Sequence, residues 1–137
     1  MANRVQALIL ARPGPLRDAL NTLLASIPGM VVLAGGPVAS LPRMAGRAQP
    51  DLVLMDADLS GDEEWAALRQ VKAQWPQARC VVLTDDGGKL LDSRAAQADV
   101  VLMKGMPAAK LVGILEGLVL GKHEQKGGDS DGRQAET

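Results

Sequence analysis

Phenylalanine and tyrosine are missing from this chain, and only Trp65 and Trp75 supply aromatic rings. The core must therefore be built from Leu, Val, Ile, Ala and Met. A single cysteine, Cys80, excludes an internal disulfide. Within ARCVVL it reads as a small buried thiol. Neither sign of charge dominates: 15 basic and 16 acidic residues leave a net charge of −1. That balance excludes a cationic surface for nucleic acid or for a membrane. No apolar run reaches the roughly 20 residues of a membrane span. The opening MANRVQALIL has neither the length nor the small-residue cleavage site of a signal peptide. A cytoplasmic location is the expectation.

What the chain does have is alternation. Its 137 residues, 47% apolar and 23% charged, suit one domain with a sizeable core. Five short runs are nearly all apolar: VQALIL (5–10), MVVLA (30–34), LVLMD (52–56), CVVLT (80–84) and VVLMK (100–104). Strands buried on both faces of a parallel sheet read this way. Amphipathic segments separate them. Leu16, Leu20, Leu23, Leu24 and Ile27 recur at helical spacing, and Pro28-Gly29 stops that helix. Asp62, Glu63 and Glu64 favour a helix start, after which Trp65, Leu68 and Val71 share a face. Pro76 ends it, leaving Trp75 half exposed. Leu111, Ile114, Leu115 and Leu118 line the last helix, with Gly121 as its stop. Weaker helical patterns cover 40–48 and 89–98, with Pro42 tolerated only in the first turn of the former.

Five strand–helix repeats with short links call for an α/β domain of three layers, a doubly wound (βα)5 parallel sheet. The strand order is expected to be 2-1-3-4-5. The first and fifth helices should cover one face and the second to fourth the other. The domain is expected to span 1–121. HEQKGGDSDGRQAET is polar and glycine-rich without apolar periodicity, so 122–137 is expected to be a disordered tail.

In such a sheet, function gathers at the carboxyl ends of the strands. Those ends carry Ala11-Arg12, Asp56, Thr84-Asp85-Asp86 and Lys104. An Asp, a Thr and a Lys from three strand ends would converge on one small pocket. A carboxylate can accept a phosphoryl group, and a hydroxyl and an ammonium can hold its oxygens. The blander readings are a turn aspartate at Asp56, a β-branched strand residue at Thr84 and a structural Lys104–Asp56 ion pair.

PDLVLMDADLSG, VVLTD and VLMK, in that order and spacing, resemble the motifs of response regulator receiver domains, the CheY-like superfamily with the flavodoxin-like fold. The resemblance covers residues 4 to about 121 and is nearest to receivers of regulators with a helix-turn-helix output. It implies that Asp56 is the phosphoacceptor position, Thr84 the switch hydroxyl and Lys104 the phosphate-contacting lysine. The family's acidic pair, which holds Mg²⁺ with the phosphoacceptor, aligns with Ala11 and Arg12, and neither suits a hard cation. Asp85 stands where a small neutral residue is usual and opposes a phosphate. Val101 replaces the switching aromatic, and Gly105 the proline after the lysine.

An atypical receiver is therefore expected: a protein-interaction module in two-component signalling, independent of Mg²⁺-dependent phosphorylation. No catalytic group, metal or cofactor is expected. Its partner is expected to be a histidine kinase or a downstream regulator. A second copy could dock through the fourth helix, fifth strand and fifth helix, with Leu90, Leu91, Val119 and Leu120 as contacts. The alternative is a working phosphoacceptor at Asp56, which needs Mg²⁺. A remoter one is a flavodoxin-like nucleotide or flavin binder, but ARPGP after the first strand lacks the hydroxyls of a phosphate loop. Past Gly121 the sequence offers no helix-turn-helix and no basic surface for DNA.

Overall fold

The computed structural model describes residues 4–36, 49–56, 63–88 and 97–124. Five strands, β1 (Val5–Leu10), β2 (Met30–Gly36), β3 (Leu52–Asp56), β4 (Arg79–Thr84) and β5 (Val100–Met103), form one sheet. Its order is β2-β1-β3-β4-β5, and every pairing is parallel. Three helices are described: α1 (Pro15–Ala25), α2 (Glu63–Gln74) and α3 (Ala108–Glu124). The helical patterns at 40–48 and 89–98 fall outside the described residues, apart from positions 97 and 98. Leu90, Leu91 and the chain beyond 124 fall outside them too. No helix among the described residues is long and apolar enough to cross a membrane.

The near-continuous apolar strands have two faces, and each strand residue serves one of them. Ala7, Ile9, Leu52, Leu54, Val81, Leu83 and Leu102 pack with Leu20 and Leu24 of α1 and Leu111, Leu115 and Val119 of α3. Leu8, Leu10, Val53, Met55, Cys80 and Val82 pack on the other side with Trp65, Leu68 and Val71 of α2. The first and last helices thus share one face, opposite α2, which is the doubly wound arrangement. Right-handed crossovers require that placement once the strand order is set.

Three details differ from expectation. Trp75 is 4% exposed rather than half exposed. Its N–H donates to Val71 O (2.8 Å) and its carbonyl accepts from Ala78 N–H (3.0 Å). This turn around Pro76 carries the indole back onto the layer that holds Trp65. Val119, expected on a docking face, is buried in the core at 5% exposure. It follows Leu111 and Leu115 at four-residue steps, which keeps all three on one helix face. Helix α3 also runs through Gly121 to Glu124, so the helix enters what was expected to be the tail. An interior glycine costs a helix about 1 kcal/mol but leaves its N–H in the ladder, and no proline follows to break it.

Gly113 and Gly117 lie exposed on the same helix, and a Cβ at either would meet nothing within 4 Å. Each should therefore gain stability as alanine. Gly113→Ala and Gly117→Ala are expected to raise the urea midpoint by the equivalent of about 0.5–1 kcal/mol apiece, additively. Gly29 is a different case. Its φ of +82° belongs to glycine. Its carbonyl accepts Val5 N–H (2.8 Å), so the turn that stops α1 also seats β2 beside β1.

Two aspartates close the amino-terminal edge of the sheet. Asp51, just before β3, accepts Gln6 N–H on its carboxylate (2.9 Å) and donates its own N–H to Gln6 O (2.7 Å). Asp99, just before β5, treats Cys80 the same way, accepting its N–H at 2.6 Å and donating to its carbonyl at 2.9 Å. Arg79 Nη1 (3.3 Å) and Lys72 Nζ (3.7 Å) compensate the Asp99 charge. Each aspartate thereby joins its strand to the neighbour before the ladder begins.

Cys80 is a free, buried thiol. Burial pushes it up from 9.0 to about 11, with Asp99 adding to the shift and Lys72 opposing it. At pH 8 a disulfide reagent should leave Cys80 untouched in the folded chain and label it fast in denaturant. The neutral thiol's contribution to stability is complete below the unfolded value. It is lost as pH rises from about 9 towards 11, because the unfolded chain releases the proton first. The parent should therefore lose up to about 2–3 kcal/mol relative to Cys80→Ala across that window, measured by denaturant titration at each pH.

Candidate functional site

The register of the strands sets the site. Asp56 is level with Leu83 of β4, and Thr84 is level with Met103 of β5. Lys104 comes one residue later, its N–H donating to Thr84 O at 2.9 Å. The three positions thus climb in steps along the carboxyl edge. Asp56 continues the row of Leu52 and Leu54, and Lys104 that of Leu102, all on the α1 side. Thr84 continues the row of Cys80 and Val82 on the α2 side.

The lysine reaches back across the end of β4. Lys104 Nζ donates to Asp56 Oδ1 at 2.7 Å. Both side chains are largely withdrawn from water, at 16% and 13% exposure. At that distance this is a charge-assisted hydrogen bond, in surroundings that screen it little. Thr84 is fully buried, and its hydroxyl accepts Asp86 N–H (3.0 Å). Asp86 Oδ1 in turn accepts Gly88 N–H (2.9 Å). Two successive side-chain-to-backbone turns thus shape the loop after β4. Sequence reasoning overlooked Asp86 in this role. The signal was present in TDDGG, where Thr and Asp each stand two residues before the amide they engage.

Ala11 and Arg12 end β1 beside Asp56. Leu10 pairs with Met55, so Ala11 lies at the level of Asp56. Ala11 is 2% exposed and its methyl belongs to the α1-side core. Its N–H donates to Gly36 O (3.0 Å). Arg12 is exposed, as are Asp85 and Asp86. Val101 is half buried against the α2-side layer, and Gly105 is exposed.

The ion pair has a measurable consequence. Lys104→Met removes the ammonium from a carboxylate that has little access to water. A loss of about 1–3 kcal/mol is expected, between the values for exposed and for buried pairs. Adding Asp56→Asn to Lys104→Met should restore part of it. The double-mutant cycle should show a coupling of about 1–2 kcal/mol, little changed by added salt.

Ala11 and Arg12 bring no carboxylate oxygen for a divalent ion. Mg²⁺ needs oxygen ligands in near-octahedral array. At this end of β1 Ala11 places a core methyl level with Asp56, and Arg12, which follows it, is exposed. The Asp56 carboxylate already holds an ammonium. Among the described residues no group of three or more His, Cys, Asp or Glu side chains is placed to hold a metal.

A five-stranded parallel sheet in the order β2-β1-β3-β4-β5, covered by helices on both faces, is a doubly wound α/β fold. Solved structures agree. The signal receiver domain of an HD domain-containing protein from Pseudomonas fluorescens Pf-5 superposes with a TM-score of 0.77 at 18% identity, over 90% of this chain and 100% of that one. A LuxR-family two-component response regulator from Aurantimonas sp. SI85-9A1 gives 0.75 at 23%, over 87% of each chain. A CheY-like response regulator receiver domain protein from Methanospirillum hungatei JF-1 gives 0.75 at 18%, over 91% and 100%. At these identities the likeness is one of fold, and the fold is that of response regulator receiver domains. No protein-family model matches the chain. No curated protein matches it either.

Proposed function

We propose that the chain is a receiver module of two-component signalling that works by protein–protein contact, without Mg²⁺-dependent phosphorylation of Asp56. The observation that carries this reading is the end of β1. Buried Ala11 and exposed Arg12 stand beside Asp56 where a divalent ion would need oxygen. Lys104 acts as the internal counter-ion of Asp56 and holds β3 to the end of β5. The module carries out no catalysis of its own and uses no cofactor. Its buried free thiol suits the reducing cytoplasm, where we place it.

The partner is a protein, either a histidine kinase or a downstream regulator. A second copy of the chain is an alternative occupant of the face to which β5 and α3 contribute. Val119 contributes to the core rather than to that face. The deciding experiment is incubation with Mg²⁺ and acetyl phosphate followed by intact mass, with Asp56→Asn as control. No labelling supports the reading. Labelling that depends on Asp56 overturns it and makes the chain an ordinary phosphoacceptor.

A further inference from the structure

We draw no further inference here: the strongest candidate, the stripe formed by Gly113 and Gly117 on the exposed face of α3, carries nothing because no part of the structure shows what covers it.

Discussion

Incubated with Mg²⁺ and acetyl phosphate, the protein is expected to gain no phosphoryl mass, and a Mg²⁺ titration should show no tight site. Ligands and charge decide this outcome. A phosphoryl group arriving at Asp56 brings negative charge to a carboxylate, and a divalent ion normally offsets this. Here Asp56 is the carboxylate contributed by β3, and Lys104 Nζ is bound to it at 2.7 Å. One favourable charge contact at about 4 Å is worth about 4 kcal/mol at an effective dielectric near 20. Arg12 is exposed, so solvent screening reduces that figure to about 2 kcal/mol. Two absent carboxylates then still weaken ion binding by about three orders of magnitude. Arg12→Asp reverses one of the two deficits and removes a like charge, so it should bind Mg²⁺ at least about tenfold more tightly than the parent. Labelling of the parent that disappears in Asp56→Asn would sink the argument. Equal Mg²⁺ affinity in the parent and Arg12→Asp would show that Arg12 does not face the ion's position.

The strands were legible in the sequence because a doubly covered sheet makes both faces apolar. VQALIL and LVLMD coincide with β1 and β3 residue for residue. Asp56 and Lys104 were legible for the same reason. A charged residue that ends an apolar run in a parallel sheet is delivered to the carboxyl edge, and two such runs bring their ends together. What the sequence hid were features settled by three-dimensional neighbours. Trp75 looks exposed beside a proline until the turn through Ala78 returns it to the core. Gly121 reads as a stop, yet α3 continues past it. Asp51 and Asp99 look like ordinary loop acids. Their work is visible only once Gln6 and Cys80 arrive beside them from neighbouring strands. The common signal, an aspartate directly before an apolar run, is present twice in the chain. Turn aspartates are common at such positions, which masks it.

The site depends on the core beneath it, and Leu54→Ala should show this. Leu54 is fully buried in the middle strand of the sheet, level with Ile9 on one side and Val81 on the other. All three belong to the layer that α1 and α3 cover. Truncation removes the methyl groups that fill this layer, and the flanking backbone is held by ladders on both sides, so the gap cannot easily collapse. A loss of about 3–5 kcal/mol is expected, the upper part of the range for such changes. Domains of this size have about 5–15 kcal/mol in total, so the variant should remain folded at low temperature but with a much reduced denaturant midpoint. Val31→Ala supplies the contrast. Val31, at 36% exposure on the edge strand β2, should change stability by less than about 0.5 kcal/mol. Asp56 lies two residues beyond Leu54 in the same row, so looser packing there should also free the carboxylate from the reach of Lys104. The Asp56–Lys104 coupling measured by the double-mutant cycle should then shrink in the Leu54→Ala background. An unchanged coupling would mean that the strand ends hold the pair independently of the layer below. A loss no greater than that of Val31→Ala would mean that the α1-side layer is not a tightly packed core.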